Sequence, residues 1–292
     1  MTELKIGTRG SALALKQTEM VLLKLKAAYP EIHAKTIILK TTGDIVTDRP
    51  LYEIDSDNSN GLFTHEFEQA LKSGEIDMAV HSGKDLPSTL PQDFSIAAVL
   101  ERGPVSDILV SLKETGISSI KSPAIGTSSP RRQHMAKELF PFCSVSPIRG
   151  NVPTRLDKLR SGQFDAIILA MAGIERLSID TSDFCITSLS PDEFIPAASQ
   201  GIIACETLRD SETAGLLRRI SHSETMQLFD IERRIMALIG AGCHDAAGCY
   251  ARKTERGFLI SAFYRNSGII RRECAESVID ITLEEMAGEL LN

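Results

Sequence analysis

Ile76-Asp77-Met78-Ala79-Val80-His81-Ser82-Gly83-Lys84-Asp85 is a largely apolar run that ends in a polar turn. Short apolar runs bounded by turn residues predict buried strands, so Ile76 to His81 reads as a strand delivering Ser82 to Asp85 at its carboxyl end. Upstream, Leu62 to Leu71 places Phe63, Phe67, Ala70 and Leu71 at helical spacing, and Gly74 stops that helix. The same grammar extends outward. Leu4 to Thr8 predicts a strand ended by Arg9-Gly10-Ser11. A helix follows with Ala14, Thr18, Val21, Leu22, Leu25 and Tyr29 on one face, closed by Pro30. Ile37 to Lys40 predicts the next strand, leading into Thr42-Gly43-Asp44. Downstream, Asp107 to Ser111, Ala124 to Thr127, Val145 to Ile148 and Asp165 to Ala170 read as strands, with helices starting near Pro130 and Asn151.

Alternating strands and helices predict α/β lobes with mainly parallel sheets, and such sheets bind ligands beyond the carboxyl ends of their strands. The polar or glycine-bearing turns at 9–11, 43–44, 82–85, 127–132 and 149–151 all fall at those ends. That coincidence predicts two lobes facing each other across a cleft. From Ser223 the pattern changes. Ser223 is placed to cap a helix with Leu228, Ile231, Ile235 and Leu238 on one face. After Gly240-Ala241-Gly242-Cys243 come predicted strands Phe258 to Tyr264 and Ile269 to Glu273, then a final helix from about Thr282, a small α+β domain.

The chain has 292 residues, enough for two or three domains each with its own core. Its net charge of -7, with no long Lys/Arg run, argues against general nucleic-acid binding. No apolar stretch approaches the roughly 18 residues of a membrane span. The N-terminus lacks the basic-then-apolar order of a secretory signal, so the expected compartment is the cytoplasm. Six cysteines at irregular spacings fit reduced thiols better than a disulfide framework. There is no GxGxxG, Walker or HExxH motif, so no nucleotide cofactor and no metal is expected.

Arg9, Arg131, Arg132, Arg149, Arg155 and Arg176 fall in or beside predicted loops at strand ends or helix starts. The planar guanidinium fork suits carboxylates, and Gly126-Thr127-Ser128-Ser129-Pro130-Arg131-Arg132 adds hydroxyls and a helix N-terminus. A ligand with several carboxylates is the inference from the six together, although a single surface arginine is as readily a solvated one. Asp85 reads either as a carboxylate serving acid–base or cation-stabilising chemistry or as a helix cap or partner of Lys84. Cys243, flanked by glycines, reads as a nucleophile or attachment point. Pairing with Cys249, metal binding with His244, and an inert buried thiol compete with that reading. The other five cysteines read as core residues, and the remaining histidines form no triad.

Taken in order, Gly7-Thr8-Arg9-Gly10-Ser11-Ala12-Leu13-Ala14, Gly61-Leu62-Phe63, His81-Ser82-Gly83-Lys84-Asp85-Leu86-Pro87, Gly126 to Arg132, Arg149-Gly150-Asn151-Val152, Asp165 to Ala170 and Gly242-Cys243 resemble the porphobilinogen deaminases over essentially the whole chain. The resemblance implies two lobes like those of periplasmic binding proteins and a small C-terminal domain. Domain one would be 1–100 with 201–219, domain two 101–200 and domain three 220–292. The chain would cross between lobes near Leu100 and at Pro196 to Gly201, and domain one would regain a helix from about 202 to 219. By matching position, Cys243 would carry a dipyrromethane primer through a thioether. Asp85 would contact pyrrole nitrogens, promote ammonia loss from porphobilinogen and stabilise the azafulvenium cation. The six arginines would hold acetate and propionate groups, Ser11, Lys84, Ser128 and Ser129 would add hydrogen bonds, and Phe63 would pack over a ring. Four additions and a hydrolysis would release hydroxymethylbilane from a cytoplasmic monomer.

The chain departs from the family at Asn58-Ser59-Asn60, where Gly-Gly-Lys is usual, and at His65, where a lysine is usual. It departs again at His244-Asp245-Ala246, in place of Gln-x-Pro, and at Ser199, in place of glycine. A degenerate relative that no longer loads cofactor, or a two-lobe carboxylate-binding protein, are the alternatives.

Overall fold

The computed structural model describes residues 3–41, 64–114, 120–242 and 245–292. They divide into two compact units, 1–103 with 201–233 and 104–200 with 234–292.

In the first unit β1 (Leu4–Arg9) leads into α1 (Ala12–Ala28), whose buried stripe is Ala14, Gln17, Thr18, Val21 and Leu25. Ser11 caps this helix by accepting from the Ala14 N–H, and Tyr29 ends it just before Pro30. Then come β2 (Ala34–Leu39), α2 (His65–Ser73), β3 (Met78–Ser82) and β4 (Phe94–Val99). Gly74 closes α2 at φ 71°, a left-handed conformation that favours glycine. The expected start of that helix at Leu62 and Phe63 lies outside the described residues, as does the Gly43-Asp44 turn.

The second unit contains β5 (Asp107–Leu112), β6 (Ala124–Gly126), α3 (Pro130–Leu139), β7 (Ser144–Ser146) and α4 (Val152–Arg160). It continues with β8 (Ala166–Ala170), α5 (Met171–Arg176) and β9 (Phe184–Ser188). The chain returns to the first unit as β10 (Ile203–Leu208) and α6 (Glu212–Arg218). Helix α7 (Ser223–Leu238) contains the boundary between the units. The second unit then adds β11 (Ala247–Thr254), β12 (Gly257–Tyr264), β13 (Ile270–Cys274) and α8 (Ile279–Leu291).

The five-stranded sheets have the orders β2-β1-β3-β10-β4 and β7-β6-β8-β5-β9, and the remaining strands form the sheet β11-β12-β13. Four strands of each five-stranded sheet run the same way, as expected of mainly parallel sheets, and one runs opposite. β10 runs antiparallel to β3 and β4, and β5 runs antiparallel to β8 and β9. Each is the strand with which the chain enters that unit, so it comes into the sheet without the βα crossover that would set it parallel.

Other expectations change. The helix expected over 202–219 is the strand β10 followed by the short α6. β10 sits between two strands, so the run Ile203, Ala204 and Cys205 is buried on both faces. Ser223 is the first residue of α7 rather than its cap. The His222 Nδ1 accepts from the Thr225 N–H at 3.2 Å and takes that role. Leu238 is 39% exposed and lies off the buried face. Cys185 is exposed on the edge strand β9, whereas Cys205, Cys249 and Cys274 are buried. Among the described residues no helix is long and apolar enough to cross a membrane.

Each unit has its own core. In the first, Ile6, Val21, Leu25, Met78 and Leu217 pack together on one side of the sheet, and Phe67, Leu71, Ile76 and Phe94 form a second cluster. In the second, Ile125, Met135, Ile168 and Phe194 extend to Phe263 of β12, while Ile108, Leu156, Leu159 and Ile167 form another cluster.

Candidate functional site

Parallel strands place their carboxyl ends on one sheet edge, and the predicted site residues collect there in each unit. In the first unit, β1 and β3 are parallel neighbours. Arg9 ends β1, Ser11 caps α1, and Lys84 and Asp85 lie in the 3-10 turn Gly83–Asp85 that follows β3. Gln17 and Ser82 tie α1 to the end of β3 through hydrogen bonds of 2.9 and 3.1 Å. Asp85 is half-buried and forms no ion pair with another described residue, which removes the reading of it as the partner of Lys84. It is also not the cap of a longer helix, because the turn ends at Leu86.

In the second unit, β6 is parallel to both β7 and β8, so the turns after these three strands share an edge. The first turn contains Ser128 and Ser129. Ser128 Oγ donates to the Ile148 carbonyl at 2.8 Å and accepts from the Ile148 N–H at 3.0 Å, stitching the first turn to the second. Ser129 caps α3 by accepting from the Arg132 N–H. Gly150 has φ 112°, and an added Cβ would lie 2.8 Å from the Thr154 Cβ, so the second turn requires glycine. Asn151 caps α4, while Arg155 Nε donates to the Gly150 carbonyl at 2.7 Å. Arg149 is partly exposed overall, yet its Nη2 is buried without a hydrogen-bond partner. Arg176 ends α5, just beyond β8, where burial pulls its guanidinium down to about 10, with Glu175 opposing.

Arg131 and Arg132 are not surface arginines, being only 3% and 6% exposed. Arg132 Nε and Nη2 donate to Asp107 Oδ1 at 3.0 and 2.7 Å, and its Nη1 donates to the Ile168 carbonyl at 3.1 Å. Arg131 Nη1 donates to the Ile195 carbonyl at 2.7 Å and stands 2.7 Å from Asp107 Oδ2. The latter contact is an ion pair by distance without hydrogen-bond alignment, since Asp107 Oδ2 receives no aligned donor. Arg131 Nε is buried and has no acceptor. Burial pulls the Arg131 guanidinium below its ordinary value, Asp107 opposes this, and the charge of Arg132 adds to the fall. Gln200 Nε2 completes the cluster, donating to the Val105 carbonyl at 2.7 Å and to Asp107 Oδ1 at 3.1 Å.

An unsatisfied buried donor costs about 1–3 kcal/mol. Two of them on arginines at one sheet edge fit a ligand carrying carboxylates. Sequence reasoning named the arginines but not Asp107 or Gln200. An acidic residue opening a predicted strand was the one visible sign of Asp107. Phe63, Cys243 and the 58–60 loop lie outside the described residues. Among the described residues, no group of three or more His, Cys, Asp or Glu is placed to hold a metal ion.

Residues 4–215 match the family model described as porphobilinogen deaminase, dipyromethane cofactor binding domain. A probable porphobilinogen deaminase of Pyrobaculum neutrophilum is 39% identical over 269 residues, covering 91% of this chain and 90% of the relative. Porphobilinogen deaminases of Rickettsia bellii and Roseiflexus castenholzii are 36% and 42% identical. These alignments cover 90% and 85% of this chain and 87% and 81% of the relatives. A solved amino acid ABC transporter substrate-binding protein from Streptococcus pneumoniae aligns over 80% of this chain and 94% of its own, at 12% identity and a TM-score of 0.40.

Proposed function

This chain belongs to the porphobilinogen deaminase family, and on that premise we propose that it condenses four porphobilinogen molecules head to tail into linear hydroxymethylbilane, releasing ammonia at each addition. Membership makes it a transferase of tetrapyrrole biosynthesis with a dipyrromethane cofactor domain. On this reading Cys243 holds the dipyrromethane through a thioether. When bound, that group supplies a free pyrrole α-carbon as the nucleophile.

The observation that carries the reading is the pair of buried, unpartnered guanidinium nitrogens, Arg131 Nε and Arg149 Nη2, beside the Ser128-Ser129 turn. Acetate and propionate oxygens supply the acceptors these donors lack, in charge-assisted bonds stronger than neutral ones. Arg9, Arg132, Arg155 and Arg176 extend the set, with Ser11, Lys84, Ser128 and Ser129 as further polar contacts and Phe63 against a ring face. Arg176 stays cationic at neutral pH despite its fall to about 10.

Asp85 supplies the electrostatics of bond breaking. The C–N bond of the protonated aminomethyl group breaks, its electron pair leaves with the nitrogen as ammonia, and the positive charge passes to the pyrrole. An ionised carboxylate at the end of β3 accepts the pyrrole N–H and stabilises that charge without solvent reorganisation. The bound dipyrromethane would offer the α-carbon that attacks this cation, and the proton displaced from that carbon would be taken up by the released ammonia as ammonium. The chain has three domains on this reading, 1–100 with 201–219, 101–200, and 220–292, the last bearing the Cys243 loop.

The test is stoichiometric. Purified protein given porphobilinogen is expected to release four ammonia for each linear tetrapyrrole formed. Reversible binding without ammonia release would instead favour a carboxylate-binding protein.

A further inference from the structure

Arginine pairs repel, and two adjacent guanidiniums at 3% and 6% exposure need a fixed counter-charge. Asp107 is that charge. It is fully buried at the start of β5, in register with Ala170 at the end of β8, and therefore at the sheet edge where the site residues collect. Its two oxygens divide the work. Oδ1 takes Arg132 Nε, Arg132 Nη2 and Gln200 Nε2, while Oδ2 faces Arg131 Nη1 at 2.7 Å.

The consequence for Arg131 is specific. Its Nη1 is held between Asp107 and the Ile195 carbonyl, which leaves the buried Nε without an acceptor. We infer that Asp107 is a positioning residue for the reaction. It touches no substrate and aims the free edge of Arg131 at a ligand carboxylate, with Gln200 fixing Asp107 in turn. This rests on the proposed reading of the site as a binder of carboxylate-bearing pyrroles. Asp107 also reduces the charge of the Arg131–Arg132 pair from two to a net of one, so this pair by itself balances one ligand carboxylate.

The test compares wild type, Asp107→Asn and Asp107→Glu at a temperature where circular dichroism shows them folded. Each is measured for intact mass and for kcat and KM with porphobilinogen. The asparagine keeps the shape and loses the charge, so its KM is expected to rise roughly tenfold or more with kcat changed much less. Loss of the cofactor mass excess in a folded Asp107→Asn protein supports the same role. The glutamate restores the charge one methylene out of place, so its KM should fall between the other two. If Asp107→Asn does not fold, Asp107→Glu decides alone, with a several-fold rise in KM expected. Wild-type KM in the folded variants, or a fall in kcat with KM unchanged, overturns the role of Asp107. A wild-type protein that does not consume porphobilinogen overturns the underlying reading, and this inference with it.

Discussion

His81 Nε2 lies 3.0 Å from Glu206 Oε2, between β3 and β10, with side-chain exposures of 5% and 0%. Phe67 packs edge-on against the imidazole at 5.0 Å between ring centroids. His81 belongs to β3, the strand that leads to Asp85, and Glu206 to its neighbour β10. The contact is one of distance without hydrogen-bond alignment, since His81 Nε2 and both Glu206 oxygens are buried without an aligned partner. Glu206→Ala removes this close polar neighbour from the core and is expected to cost about 1–3 kcal/mol. Glu206→Gln keeps a polar group of the same shape at that distance and should cost less. Urea unfolding at neutral pH measures both, and an alanine variant as stable as wild type would contradict the pairing.

Asp85 presents the opposite case. It is half-buried and pairs with no described cation, so removing its carboxylate strands no buried partner. Asp85→Ala should therefore stay within about 0.5 kcal/mol of wild-type stability. Turnover should fall by roughly 100-fold or more, the scale seen when a preorganised charge-stabilising group is removed. Steady-state kinetics beside a melting curve separates the two effects. Full turnover in this variant would remove Asp85 from the mechanism.

Glu68 titrates above the ordinary 4.5, chiefly through burial and secondarily through the nearby Glu206 charge. Such a carboxyl binds more protons folded than unfolded between the two values, so stability falls as pH rises through that window. Above its raised pKa the charged form carries the full penalty. Glu68→Gln should accordingly melt higher than wild type at neutral pH, and the difference should close below about pH 4.5. Melting temperatures across that range check it, and a gain that persists in acid would point to another cause.

Ser199 has φ 63°, a left-handed conformation that a side chain resists. The family's usual glycine at this position has a direct physical reason. Ser199→Gly is expected to stabilise the protein by roughly 0.5–1 kcal/mol, strain relief outweighing the added freedom of the unfolded chain. Chemical denaturation tests this, and a loss of stability would mean that the serine side chain contributes more than the backbone costs.

Much of this architecture is legible in local patterns. The apolar run before Ser82, the helical spacing from Ala14 to Leu25 and the stop at Gly74 are decided within a few residues. β10 was not legible, because a short run such as Ile203-Ala204-Cys205 suits a buried helix as well as a strand. Its flanking strands β3 and β4 decide the matter, and they lie far away in sequence. β11 escaped for a related reason, since Ala247 to Thr254 mixes small and basic residues and becomes a strand through its pairing with β12. At the site, arginines announce a carboxylate ligand by their chemistry. That two of them are buried on Asp107 depends on partners 25 residues away for Arg132 and 93 for Gln200.

The central claim is a covalent primer on Cys243, and the intact denatured mass of the protein beside Cys243→Ser tests it most directly. The account expects wild type to exceed its sequence mass by one dipyrromethane, and the serine variant to show none. A bare mass in both proteins, or the same excess in both, would contradict the attachment.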